Sequence, residues 1–224
     1  MSESKLIKIE DGLLKRVSDV INITDKLLAL GEKNIKDVII GDQIWMVENL
    51  NVSNFQNGDP IPEAKTDEEW QKAGQNEQPA WCYYANDPLN GVKYGKLYNW
   101  YAVIDPRGLS PHGWHVPDEL EFDKLINYLG GKDIGGKKMK SENDWMDNGN
   151  GTNESGFSGL PGGHRGPKGT FADISIYSHW WSSTEKNTGN AWFIYLFCQM
   201  NIVGWVSAYK AKGMFVRCLR DETV

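Results

Sequence analysis

Apolar and polar positions along the chain recur with two different periods. In "DVIIGDQIWMVENLNV" two apolar-rich runs flank Gly41-Asp42, a pair that tolerates positive φ, and this predicts a tight hairpin. The stretch "TDEEWQKAG" reads as a short helix with a capping box, Thr66 accepting from the first turn, Glu69 reaching back, and Gly74 closing it. "WHVPDELEFDKLINYLGG" predicts the clearest helix: Asp118 is the N-cap, Glu121 lies three residues on, Phe122, Leu125, Ile126 and Leu129 form one stripe, and Gly130 is the stop. Between these helices, "PAWCYYANDPLNGVKYGKLYNWYAV" is dense in aromatic residues and predicts β structure interrupted by Asn-Asp-Pro and Asn-Gly turns. From Gly131 to Gly169, Gly, Asn, Ser and Pro dominate and predict a long irregular excursion. The chain ends in β runs, "YSHWWSST", "NAWFIYLFCQMNIVGWV" and "GMFVRCLRD". Few helices and many short strands define an α+β domain.

The pattern of the first 33 residues is separate. Asp11-Gly12 predicts a hairpin, and "SDVINITDKLLALG" a short helix capped by Ser18 or Asp19 and stopped at Gly31. One continuous helix is the rival, with Leu14, Val17, Ile21, Thr24 and Leu28 on a stripe. About 30 residues cannot bury a core alone. The expected organisation is therefore a hairpin-helix association unit over 1–33, serving homo-oligomerisation or partner docking, and a main domain over 34–224.

Composition narrows the function classes. Thirty acidic against 24 basic residues, a net charge of -6, leave no excess for phosphate neutralisation, so nucleic acid is not an expected partner. No stretch reaches the ~18 to 20 apolar residues of a spanning helix, and "MSESKLIKIEDG" lacks the basic-then-apolar order of a signal peptide. Cytoplasmic placement is the expectation, unless a dedicated system exports the chain. Cys82, Cys198 and Cys218 are odd in number, without CxxC spacing, and read as buried thiols. Twenty-four glycines and ten tryptophans point to a loop-rich domain held by aromatic anchors.

Candidate chemistry is sparse. His112 and His115 are three apart, but Pro111, Gly113 and Pro117 oppose the helix that would bring both to one metal. His164 reads as lying in a solvated turn and His179 as a satisfied neighbour of the tryptophans that follow it. Ser182 and Ser183 lack a GxSxG context. Asp87, Asp144, Asp147, Asn148, Asn150 and Glu154 offer oxygens suited to calcium, yet no EF-hand spacing is present and ordinary turns need the same residues. No cofactor is expected, with calcium the one ion the composition allows.

"GNAWFIYLFCQMNIVGW" is apolar on both parities. Either it is a central strand buried on both faces, or one parity (Trp192, Ile194, Leu196, Cys198) faces the core and the other presents a surface. On the second reading Phe193, Tyr195, Phe197, Gln199, Asn201, Trp205 and Tyr209 form an aromatic ligand-binding surface with a polar rim, suited to a protein or peptide. A carbohydrate ligand is the alternative.

Read in order, "IGDQIWMVENLNV", "CYYANDPLNGVKYGKLYNWYAV", "GWHVPDELEFDKLINYLGG", "TNESGFSGLPGGHRGPKGTF", "WWSSTE" and "FVRCLRD" resemble the Fibrobacter succinogenes major paralogous domain family, from about residue 37 to residue 221. That family looks like a relative of the C-type lectin fold and of the sulfatase-modifying-factor domain. The resemblance implies a twisted antiparallel sheet beside one or two helices, with a long loop region presenting a binding surface. Its members often occur in surface lipoproteins of Bacteroidetes-like bacteria. C-type-lectin-like relatives include variable ligand binders diversified by retroelements, in a segment that resembles residues 190–217 in position. The sulfatase-modifying enzymes use a close cysteine pair, whereas Cys198 and Cys218 stand twenty apart, so a non-enzymatic recognition module is the expectation.

Overall fold

The structure, a computed structural model, describes residues 35–222. The chain partitions into two units, Met1–Lys36 and Asp37–Val224. The hairpin and helix expected over residues 1–33 lie outside the described residues.

The main unit is α+β. Strands β1 (Asp37–Ile40) and β2 (Gln43–Met46) form the expected hairpin across Gly41-Asp42, with Gly41 at φ 68° and Ile40 opposite Gln43. Helix α1 (Asp67–Gln75) begins with both hydrogen bonds of the capping box between Thr66 and Glu69. After β3 (Trp81–Cys82) come a 3-10 turn (Tyr84–Asn86), α2 (Pro88–Tyr94), β4 (Leu97–Tyr98), α3 (Trp100–Val103) and β5 (Trp114–His115). Helix α4 (Glu119–Tyr128) repeats the capping box between Asp118 and Glu121, and α5 (Lys132–Met139) follows it. The remaining strands are β6 (Gly162–Arg165), β7 (Phe171–Ile174), β8 (Tyr177–Asn187), β9 (Asn190–Phe197), β10 (Val203–Tyr209) and β11 (Leu219–Arg220).

Three expectations change. Residues 79–103 are mostly helical, not β. Asp87 caps α2 by accepting from Leu89 N, Pro88 occupies the first turn where its missing N–H costs nothing, and Asn90-Gly91 runs on inside the helix. Gly91 is required for packing, because a Cβ there would enter the Tyr83 ring. The Gly131–Gly169 region contains α5 and β6, so its irregular part is shorter than expected. The run from Gly189 to Trp205 is two strands, β9 and β10, joined through residues 198–202.

The strands form a four-stranded sheet in the order β1-β2-β11-β5, a five-stranded sheet in the order β10-β9-β8-β6-β7, and the pair β3-β4. Between these strands the pairings are antiparallel except β6 with β8. A chain of rings joins the two larger sheets: Phe122 of α4 packs on Trp45 at 5.3 Å between centroids, Trp45 on Phe157 at 5.9 Å, and Phe157 on Trp180 at 5.5 Å. Buried indoles also need a partner for each N–H. Trp70 donates to Ala211 O, Trp81 to Ile61 O, Trp100 to Ser182 O, Trp180 to Asn49 Oδ1 and Trp181 to Tyr98 O, so each anchor also ties one segment of the chain to another.

Buried cations complete this work. The Arg165 guanidinium lies between the rings of Trp70 and Phe171 and donates to the carbonyls of Ala64, Thr66 and Gly169 and to Asp67. Lys140, 1% exposed, donates to the carbonyls of Phe197, Cys198 and Met200 and holds the β9–β10 connection.

Candidate ligand-binding face

The register of the five-stranded sheet sorts side chains onto two faces. Directly paired residues of antiparallel strands point the same way. In β8 and β9, Trp180 pairs with Ile194 and Ser178 with Leu196, and these face the core. On the other face Tyr177 pairs with Phe197, His179 with Tyr195 and Trp181 with Phe193. The β9–β10 register joins odd to even numbers: Trp205 pairs with Ile194, and Val206 with Phe193.

That register corrects the membership of the expected surface. Trp205 lies on the core side, stacked on Trp192 at 5.8 Å and packed against Phe122 at 6.0 Å. The sequence parity carried it to the wrong face because the β9–β10 connection shifts the alternation by one. Tyr209 shares the core-side parity but sits at the end of β10, 64% exposed, where it lines a groove of about 400 Å³ with Tyr101, Gln71, Gln75 and Pro167. Phe193 has the expected parity yet is 5% exposed, covered together with Trp181. β9 is therefore buried on both faces at Phe193, and is only half-buried on this face toward its end at Tyr195 and Phe197.

At that end three half-buried rings meet. Tyr177 and Phe197 stack at 4.4 Å with planes 10° apart, and Tyr195 lies 5.8 Å from Tyr177. Tyr195 lies over Gly204 of β10, where any Cβ would enter its ring, so the glycine makes room for the aromatic. Exposed Gln199, Met200 and Asn201 form the rim, and Gln199 Nε2 donates to Asp147 Oδ2 at 3.2 Å. Tyr177 belongs to the face although it was not among the expected site residues. The alternation in "YSHWWSS" carried that signal, since Tyr177, His179 and Trp181 share one parity.

Beneath the rings lies an imidazole pair. His179 is 7% exposed, stacked under Tyr177 at 5.6 Å and edge-on to His164 at 4.9 Å. Its Nδ1 is buried without a hydrogen-bond partner. Burial above all, with the nearby charges of His164 and Lys212, pushes its pKa well below the ordinary value, so the ring is neutral. His164 is also pushed down, by burial first and Lys212 second, against the pull of Asp173. Its Nδ1 lies 3.2 Å from Asp173 Oδ2 but out of line for a hydrogen bond. His164 is thus in strand β6, largely buried rather than in a solvated turn, and His179 is not the satisfied histidine that its neighbours suggested.

The remaining candidates are dispersed. His115 bonds Glu121 and Asp221 instead of approaching a metal with His112. Among the six oxygen donors weighed for calcium, Asp87 caps α2, Asp144 pairs with Lys93 at 2.8 Å, Asp147 accepts from Gln199, and Asn150 Oδ1 accepts from Trp145 N. Among the described residues no group of three or more His, Cys, Asp or Glu side chains is placed to hold a metal. The three cysteines are free and buried. Burial pushes the Cys82 thiol up to about 12 and also raises those of Cys198 and Cys218. Ser182 is fully buried, its Oγ accepting from Thr184 N. Among the described residues, no helix is long and apolar enough to cross a membrane.

With this geometry in place, comparison with known families gives one match. Residues 38–220 match the Fibrobacter succinogenes major domain, and the chain belongs to that family. No curated protein and no solved structure matches it.

Proposed function

We propose that the main domain is a non-enzymatic recognition module that binds a protein or peptide through the face built by Tyr177, Tyr195 and Phe197. The observation that carries this reading is the half-buried stack of those rings at the sheet surface, with an exposed polar rim at Gln199 and Asn201, on paired strands. Rigid aromatics offer large contact area at small entropy cost. The buried thiols with raised pKa values and the dispersed or buried histidines support binding over catalysis. A C-type-lectin-like fold, with the 190–217 segment as its variable region, accords with this reading.

The groove at Tyr209 favours a second reading. Two tyrosines beside the amides of Gln71 and Gln75 suit a saccharide, whose apolar ring face stacks and whose hydroxyls bond amides.

Peptides selected for binding the wild-type chain distinguish the readings. Phe197→Ala and Tyr177→Ala should each weaken them by about 1–3 kcal/mol with little change in the melt. Trp205→Ala should do the reverse, losing up to ~3–5 kcal/mol of stability because its ring packs on Trp192 and Phe122. Peptides indifferent to both face variants would sink the proposal, and loss on Tyr209→Ala instead would move the site to the groove.

A further inference from the structure

Arg217 is an unusual buried charge. The side chain is 1% exposed and lies in the stretch leading to β11. Its Nε and Nη2 donate to Asn49 Oδ1 at 3.0 and 2.7 Å, and its Nη1 donates to the carbonyls of Met46 and Phe157. Every one of these acceptors is neutral. A guanidinium has five N–H groups, so these four bonds leave one on Nη2 unused. Asn49 Oδ1 is already saturated, because it also accepts from Trp180 Nε1 at 2.8 Å. Burial pushes the Arg217 pKa down, to about 9, which leaves it cationic at neutral pH. A buried cation with only neutral hydrogen-bond acceptors is costly, and the nearby Glu48 offsets part of that cost through space.

Arg217 and Asn49 also form part of the lining of a cavity of about 230 Å³ between the β2 end, α2 and residues 158–160. Its apolar walls are Val47, Val92, Tyr94 and Leu160, while Glu48 and Lys93 bring charges of opposite sign. Lys93 is engaged by Asp144 at 2.8 Å. An anion in this cavity would gain a charge-assisted hydrogen bond from Arg217. The acidic Glu48 disfavours a dianion such as phosphate, and the apolar walls need a hydrocarbon group to cover.

We infer that the cavity at Arg217 is a second binding site, for a small monocarboxylate carrying a short apolar group. A free short-chain acid and the C-terminal residue of an apolar peptide share this chemistry. The site stands apart from the Tyr177–Tyr195–Phe197 face, and its test does not depend on that face.

Heteronuclear NMR titration of the full chain with butyrate tests it, with butyramide at matched ionic strength as the uncharged control. Butyrate should give saturable shifts in the amides of Gly91 to Gly95 and in the Arg217 Nε–H, with a dissociation constant of the order of 1–10 mM, as suits so few heavy atoms. Butyramide should give none. N-acetyl-leucine binding at least about tenfold more tightly than butyrate would assign the site to peptide C-termini, and butyrate the tighter to free acids. Arg217→Lys tests the fork directly, but it also removes bonds that hold Met46 and Phe157. Val92→Glu is therefore the companion variant: Val92 is 85% exposed, at the rim of the cavity. The added negative charge should raise the butyrate constant by about fivefold. Equal shifts from butyrate and butyramide, no saturable shift, or an unchanged constant in Val92→Glu would overturn the inference.

Discussion

Lys140 shows how one side chain can fix a surface that it never reaches. Its ammonium is buried, sits 5.4 Å from the centre of the Trp145 ring, and donates to the carbonyls of Phe197, Cys198 and Met200. Those carbonyls belong to the turn that carries Phe197, the outermost ring of the candidate face, and Gln199 on its rim. Burial pushes the Lys140 pKa down, so the charge is held against a desolvation cost by its carbonyl acceptors and the ring. Lys140→Met fills similar space but removes the donor, leaving acceptors buried without partners. A loss of about 1–3 kcal/mol or more is expected in urea denaturation, together with altered amide shifts at 197–201. If the variant keeps both wild-type stability and those shifts, the turn is held by the chain alone. Nothing in "KKMKSEND" marks Lys140 as buried, since a lysine among lysines reads as solvated.

At the scale of elements, what was readable depended on whether the signal was local. Helix α4 and the β1–β2 hairpin carry their caps, stripe and turn within their own residues, and both appear where expected. Helix α5 does not: "KDIGGKKM" has two glycines, a weak stripe and no side-chain N-cap, and it forms through tertiary contact. Gly136 lies against the backbone carbonyls of Asn201 and Ile202, and Lys137 N donates to Asn201 O at 3.2 Å. The glycine is there for close approach, so the helix exists because the β9–β10 connection lies on it. The same connection sets the face of Trp205, which no alternation within one strand could reveal. Of the candidate site, Tyr195, Phe197, Gln199 and Asn201 were readable from β9 and its end; Trp205 was misplaced by the register, and Phe193 by a burial that alternation alone does not reveal. Gly136→Ala separates propensity from packing. In a free helix alanine is favoured over glycine by about 1 kcal/mol, but here its Cβ would press on backbone that cannot turn aside. The variant should therefore lower the urea midpoint, and a raised midpoint would show that α5 is limited by intrinsic helicity.

For the whole molecule, two histidines of opposite character shape stability against pH. His115 of β5 holds Glu121 of α4 through Nε2 at 2.8 Å and Asp221, beyond β11, through Nδ1 at 2.6 Å, so both ring nitrogens donate and the ring is cationic. The Glu121 bond first, with that of Asp221, raises its pKa to about 9 against the effect of burial. His179 is the converse, buried and neutral, its pKa well below the ordinary value of 6.5. The signs follow from proton linkage. Below pH 6.5 His115 is charged both folded and unfolded, and its stabilisation is fully present; it fades as pH rises from 6.5 toward 9. Above pH 6.5 His179 is neutral in both states; as pH falls below 6.5, the unfolded chain takes up a proton that the folded chain refuses, and stability falls. The two limbs meet, so the urea midpoint should peak near pH 6.5. The alkaline limb is best read between pH 6.5 and about 8, because above ~8.5 the three buried thiols add their own loss as the unfolded cysteines ionise. His115→Gln should flatten the midpoint across that window, and His179→Phe should make the decline between pH 6.5 and about 5 shallower. Should His115→Gln decline as steeply as the wild type from pH 6.5 to 8, the clamp joining β5, α4 and the chain end does not control stability, and the alkaline limb arises from groups other than this histidine.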